Sequence, residues 1–388
     1  MKQHLDNLMV ERFRGLRNLE LKDLGQVNLF VGSNNSGKTS VLEAISTYCR
    51  PFDPLEWLNT SRRREAFGSN TIPIARLNVL RWLFPQSADQ NPDDLFHGSV
   101  NMEGTGSFAV KSVSAEYQEI RGIPDDATLQ RLQQRYSSRE PDASFHGAEL
   151  EVTLDTEIDP SEPDLFGLNQ LEMDNGLPHI SVENYIFWES APFIDRKKTT
   201  SKYSLAVRTI TPVSHRTEAA HATRFSEATL SGKSTGVLEL IRLFDKDIVG
   251  LQVLDIGSGS TLYVDHKTTG ITPLSAFGDG LRRAVMIAIT LPRVKKGVLL
   301  IDEIETAIHI SVLSDVYKWL LKSCQHNNVQ LFATTHSLEA VDALIKAHPA
   351  SEDNQLVAYR LGQSGMPVKR YSGELLRDVR FEGGLEIR

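Results

Sequence analysis

Lys38 and Thr39 close the octet Gly32-Ser33-Asn34-Asn35-Ser36-Gly37-Lys38-Thr39, in which two glycines bracket four short polar residues. That spacing suits a loop whose backbone N–H groups converge on a phosphate, with an ammonium and a hydroxyl following at once. The N–H groups of residues 33–38 are expected to wrap a β-phosphate at the positive end of a helix. Lys38 is expected to reach the β- and γ-phosphates, and the Thr39 hydroxyl to ligate Mg²⁺. The expected nucleotide contacts are thus Asn34, Asn35, Ser36, Gly37, Lys38, Thr39 and Ser40.

Two further groups of residues suit the same chemistry. Gly297-Val298-Leu299-Leu300-Ile301-Asp302-Glu303 is an apolar run ending in two carboxylates. Read alone it is a strand that ends in solvated acids; beside a phosphate loop, Asp302 is expected to hold Mg²⁺ through a water and Glu303 to act as general base. Leu331-Phe332-Ala333-Thr334-Thr335-His336-Ser337 is a second such run, ending in hydroxyls and an imidazole. A lone histidine there more often caps or packs, but the order of motifs favours His336 as a γ-phosphate sensor.

Leu274-Ser275-Ala276-Phe277-Gly278-Asp279-Gly280-Leu281-Arg282-Arg283 opens an apolar helix with a second Ser/Gly turn, another anion-binding element. One chain has no obvious use for two such elements on one γ-phosphate. Two chains do, if each offers Gly278 and Gly280 to the nucleotide held by the other.

These residues need rigid supports. The run Gln26-Val27-Asn28-Leu29-Phe30-Val31 reads as a buried strand before the loop, and 39–49 as a helix with Leu42, Ile45 and Cys49 on one face. Residues 298–301, 331–334 and 355–361 read as further sheet strands. Leu230-Ser231-Gly232-Lys233-Ser234 repeats the Gly-Lys-Ser triplet but lacks the first glycine, since Glu227 stands there; it reads as a turn before a helix near residues 237–244.

Composition sets modest bounds. The 388 residues are 40% hydrophobic and carry a formal net charge of −8, so the whole surface does not advertise nucleic acid. Two cysteines, Cys49 and Cys324, without a CxxC, argue against a disulfide scaffold or a thiolate zinc site and suit the cytosol. Residues 1–7 are polar and do not read as a signal peptide, and no apolar run is long enough to span a bilayer.

Between the motifs, residues 51–205 are harder to read. A helix is expected over 75–84, and antiparallel strands over 108–121, 148–157, 179–188 and 203–211. An acidic loop follows at 155–174, and Arg62-Arg63-Arg64 and Arg196-Lys197-Lys198 form short basic runs; solvated charge is the simpler reading of all three.

Taken together, the phosphate loop, the Gly-Asp-Gly-Leu-Arg-Arg turn, Leu-Ile-Asp-Glu-Ile-Glu-Thr-Ala-Ile-His and Thr-Thr-His-Ser resemble an ABC-type ATPase. The branch is that shared by overcoming-lysogenization-defect (OLD) nucleases, RecF and the SMC/Rad50 heads, of the AAA-15/AAA-21 type. Met9-Val10-Glu11-Arg12-Phe13-Arg14-Gly15-Leu16 is similar to its first strand. The resemblance covers residues 8–50 and 272–361 and hardly touches the middle. It implies ATP and Mg²⁺ as ligands and a homo-oligomer, a dimer or larger ring, in which ATP joins two heads. Lys38, Thr39, Asp302, Glu303 and His336 then act in cis, the 275–280 turn in trans, and 305–309 is the D-loop. The signature departs from the transporters' Ser-Gly-Gly, which puts the weight on Gly278 and Gly280 rather than Ser275, and no position suggests itself for a Q-loop.

The expected fold is α/β: an ABC-type head with a mixed, mostly parallel sheet and a β-rich, helical insertion. The expected parts are 1–50 and 206–388 for the head and 51–205 for the insertion. No long heptad stretch marks a coiled-coil arm, and the sequence beyond the last strand leaves no room for a Toprim domain. The pattern is most like stand-alone ATPase subunits of bacterial antiphage systems, which implies a cytoplasmic switch acting on a separate nuclease and triggered by a phage protein. A RecF-like, DNA-binding repair ATPase is the alternative.

Overall fold

Continuous apolar runs and alternating runs build two different sheets in this chain. The computed structural model describes residues 3–64, 76–86, 95–126, 128–130, 144–157, 179–189, 191, 203–217, 221–230, 232, 234–257, 259–348, 355–362 and 367–387. Two compact units result. One comprises Met1–Lys22, Thr47–Arg64 and Ile72–Leu205; the other comprises Asp23–Ser46 and Ala206–Arg388.

In the first unit, strands β1 (Asn7–Phe13), β2 (Leu16–Leu21), β4 (His97–Thr105), β5 (Val110–Gly122), β6 (Phe145–Thr156) and β7 (His179–Trp188) form an antiparallel sheet in the order β2-β1-β4-β5-β6-β7. Alternation of buried and exposed residues, as along β4 and β6, is the mark of a sheet with one buried face. Trp57, Phe84 and Tyr117 stack beneath it, with centroids 5.5 and 5.0 Å apart. Trp57 lies in helix α2 (Pro54–Arg62), which Asp53 caps by accepting from the Leu55 N–H.

In the second unit, β3 (Val27–Val31), β8 (Val207–Ile210), β12 (Val298–Ile301), β13 (Gln330–Thr334), β14 (Leu356–Arg360) and β15 (Lys369–Ser372) form a sheet in the order β15-β14-β3-β13-β12-β8. All neighbours in it are parallel except β14 and β15. Every residue of β3, β12 and β13 is buried, which is why they read as apolar runs rather than alternating ones. Asn28 is the polar exception in β3. Its side chain bonds both the N–H and the carbonyl of Gly25, which satisfies it without water. Helix α1 (Lys38–Cys49) follows β3. A small antiparallel sheet of β9 (Ile248–Asp255), β10 (Ser260–His266) and β11 (Gly270–Pro273) precedes the helix Asp279–Thr290.

The expected α/β fold with a mixed, mostly parallel sheet is the one found. The division of the first fifty residues differs from expectation. Residues 1–22 join the antiparallel unit because β1 pairs with β4, Leu8 opposite Gly104. The last turn of α1, from Thr47, joins it too. The strand expected over 203–211 is not antiparallel. It is β8, parallel to β12 with Val207 opposite Val298. The helix expected over 75–84 is one turn, Leu77–Leu80, followed by a 3₁₀ turn, Arg81–Leu83. Arg63 is not a free basic residue, since it pairs with Glu56 at 2.9 Å. The 196–198 basic run and the acidic loop from 158 onward lie outside the described residues. Cys49 and Cys324 are both buried, one in each unit. Among the described residues no helix is long and apolar enough to cross a membrane.

Candidate nucleotide site

The loop between β3 and α1 needs both of its glycines. Gly32 has φ +147 and Gly37 φ +89, conformations that L side chains rarely adopt. A Cβ on Gly32 would lie 2.5 Å from the Leu361 carbonyl oxygen. Asn35 also has a positive φ, 63°, which asparagine tolerates. Asn34 lies beside it, exposed, while Ser36 and Ser40 are buried. Lys38 folds back on the loop: its Nζ donates to the carbonyls of Gly32 at 2.9 Å and Ser33 at 2.8 Å. Burial holds this ammonium below the ordinary lysine value, against the opposing pull of Asp302, Glu303 and Glu305.

From Thr39 a chain of short contacts runs to the ends of β12 and β13. Thr39 Oγ1 lies 3.2 Å from both carboxylate oxygens of Asp302. Thr334 Oγ1 donates to Asp302 Oδ1 at 2.6 Å and accepts the Glu303 N–H at 2.8 Å. Thr306 donates to Glu303 Oε2 at 3.0 Å. Glu303 sits in the left-handed region, φ +48, an uncommon place for a non-glycine residue and one that turns the chain sharply after Asp302. His336 is placed next door by its backbone, whose N–H donates to Glu305 Oε1 at 3.1 Å. Ser337 then caps the helix Leu338–Ala347.

The structure therefore brings Lys38, Thr39, Asp302, Glu303 and His336 to the carboxyl ends of adjacent parallel strands, where ligands of α/β sheets bind. A hydroxyl and a carboxylate converging at 3.2 Å form a hard-oxygen pair that suits Mg²⁺.

Gly278 and Gly280 lie in the same unit, at the start of the helix Asp279–Thr290, and they differ from each other. Gly278 is the N-cap, with φ −61, and a Cβ there would meet no atom of the described residues within 4 Å. Gly280 abuts its own chain: a Cβ would lie 2.7 Å from the Ala307 carbonyl oxygen, so glycine is required there by the 305–309 loop itself. Asp279 between them pairs with Arg216 and, at 3.1 Å, with Arg282; the Arg216 hydrogen bond holds its carboxyl below the usual range.

Sequence reasoning gave Thr334 and Arg283 no role. Thr334 bridges Asp302 and Glu303, as above. Arg283 is fully buried and donates to the carbonyls of Thr211, Asp302 and Glu303. The signal was present: an arginine standing immediately before Ala284-Val285-Met286-Ile287 is a cation at the edge of an apolar helix face.

Several known proteins are similar. "ATP/GTP phosphatase" of Helicobacter pylori is 19% identical over 387 residues, covering 96% of each chain. An uncharacterised protein of Methanocaldococcus jannaschii, MJECL11, is 36% identical over 113 residues, 29% of this chain and 98% of that one. RecF of Saccharophagus degradans is 49% identical over 51 residues, 13% of this chain and 14% of RecF. Among solved structures, the SMC head bound to the C-terminal winged-helix domain of ScpA shares 11% identity at a TM-score of 0.46, covering 95% of this chain and 97% of that one. A profile of the family AAA_21, described as "AAA domain, putative AbiEii toxin, Type IV TA system", matches residues 27–342, from the first residue of β3 to the helix beyond His336; the chain belongs to that family of P-loop ATPase domains.

Proposed function

We propose that this chain hydrolyses ATP with Mg²⁺ at the ends of β3, β12 and β13, and that hydrolysis drives an oligomeric switch. The observation that carries the reading is the Thr39–Asp302–Thr334–Glu303 chain of contacts, which joins a phosphate loop to a candidate base. Thr39 and Asp302 would hold Mg²⁺, which neutralises phosphate charge when bound. Glu303 takes a proton from the attacking water as its oxygen bonds to the γ-phosphorus and the bridging P–O bond to ADP breaks. Lys38 and the loop N–H groups stabilise the charge that develops. A relative named as an ATP/GTP phosphatase over nearly the whole chain supports triphosphate hydrolysis.

Gly278 supports the composite arrangement. Among the described residues nothing lies within 4 Å of a Cβ placed there, and the space before it is offered to a second copy's nucleotide. The resemblance to stand-alone antiphage ATPases, such as AriA of the PARIS system, extends the reading. On it the homo-oligomer restrains a separate Toprim-type nuclease until a phage protein triggers release. The RecF similarity, confined to 51 residues, favours the alternative of a DNA-binding repair ATPase.

Glu303→Gln tests the reading. It keeps size and hydrogen bonding but removes the base, so ATP binds while phosphate release falls by about 10²–10⁴-fold. Normal turnover in this variant would show that Glu303 is not the base. Co-purification from the native host distinguishes the partners: a nuclease supports the switch, and salt-steep duplex DNA binding supports the alternative.

A further inference from the structure

We propose that Arg283 is a positioning residue for hydrolysis: its guanidinium sets the aim of Glu303 and ties that aim to the helix carrying the Gly278–Gly280 turn. The inference rests on Glu303 being the general base.

The geometry is specific. Arg283 is 0% exposed and lies one turn into the helix Asp279–Thr290. Nη1 donates to the Thr211 carbonyl at 2.6 Å, just beyond β8. Nη2 donates to the carbonyls of Asp302 at 3.0 Å and Glu303 at 2.9 Å, just beyond β12. One planar fork thus spans the ends of two neighbouring strands, which the point charge of a lysine does not do. The carbonyl it holds on Glu303 belongs to the residue at φ +48, a turn that persists only where its surroundings over-determine it. The Glu303 N–H is fixed by Thr334 and the carboxylate by Thr306, so Arg283 supplies the third restraint.

Stability alone is a poor reason for this cation. A buried charge is expensive, and an apolar residue of similar volume is often as good or better. The following residues of the helix, Ala284, Val285, Met286 and Ile287, are buried and apolar. Burial depresses the guanidinium to about 10, so it stays charged at neutral pH. The charge faces Asp302, Glu303 and Glu305. Gly280, one turn earlier, approaches Ala307 closely enough that a Cβ would lie 2.7 Å from its carbonyl oxygen. The turn and the carboxylate loop are therefore joined twice, by a guanidinium and by a close approach.

The test is a double-mutant cycle on the full-length protein, with kcat expressed per subunit that binds Mg·ATP, so that any unfolded fraction drops out. Arg283→Lys keeps the charge and loses the fork. It should lower kcat on the order of 10²-fold, the cost of a misaimed group, with ATP affinity unchanged. In a Glu303→Gln background the same substitution should lower kcat no further, because the aim of a missing base cannot matter. Additive losses, unchanged kcat in Arg283→Lys, or a variant with no ATP-binding subunits would each overturn the proposal, the last by making Arg283 a core residue only. Wild-type turnover in Glu303→Gln alone would instead overturn the assignment of the base.

Discussion

An ammonium already held by carbonyl oxygens of its own loop can exchange them for phosphate oxygens with little rearrangement. That is the position of Lys38, bonded to Gly32 and Ser33. Lys38→Ala should lower turnover by about 10²–10³-fold, as loss of one preorganised charge-stabilising donor does. Nucleotide affinity should fall as well, because the ground-state phosphates lose the same cation. Titration with a fluorescent ATP analogue and a phosphate-release assay on the folded variant measure both. Wild-type values in either would remove Lys38 from the site. The contrast with Glu303→Gln is diagnostic: one variant weakens binding and chemistry together, the other chemistry alone.

Among the elements, the helix Asp279–Thr290 and the helix His221–Leu230 set up a pH dependence. Burial, with the positive charges of Arg282 and His215, depresses His221 to about 4 from 6.5. The unfolded chain takes up this proton as pH falls below about 6.5, and the folded chain does so only near 4. The stability contribution is therefore complete above pH 6.5 and is lost progressively as pH falls toward 4. His215 is depressed by burial in the same direction. His221→Gln should flatten part of the acid slope in urea midpoints measured between pH 7 and 4.5, and an unchanged slope would remove His221 as its source. The elements also differ in how legible they were. Strands β3, β12 and β13 are buried on both faces, so their apolar runs were plain in the sequence. β4, His-Gly-Ser-Val-Asn-Met-Glu-Gly-Thr, was missed because its glycines lie where backbone and ring approach closely, Gly104 against Tyr48 and Gly98 against the Pro85 carbonyl. β9 to β11 were missed because only Ile248, Leu262 and Val264 are buried among otherwise exposed and half-buried residues, which gives a weak alternation. The loop, the carboxylates and His336 were legible because order and spacing carry them. Arg283 was not, since its role depends on which carbonyls the fold places before it.

At the scale of the whole molecule the question is whether two chains share a site. The Gly280 contact with Ala307 shifts the experiment to Gly278, because a side chain at 280 would disturb its own subunit first. At Gly278 a Cβ meets no described atom of its own subunit within 4 Å, so Gly278→Arg should fold, bind ATP and fail to hydrolyse it. Mixed with Lys38→Ala subunits, it should recover activity that neither variant has alone. In a mixed dimer one interface carries both defects and the other carries none. If labelling shows subunit exchange and no activity returns, while wild type mixed with the double variant stays active, the shared site is wrong. The two cysteines offer a different handle on the whole. Burial pushes the Cys324 thiol up to about 12 and Cys49 higher still, so neither offers a reactive thiolate in the native state. Each belongs to a different unit. Alkylation of each thiol under native conditions must therefore wait for its own unit to open, and the two labelling rates become separate local clocks, readable by mass spectrometry. If ATP tightens only the unit of its phosphate loop, Cys324 will slow while Cys49 keeps its pace.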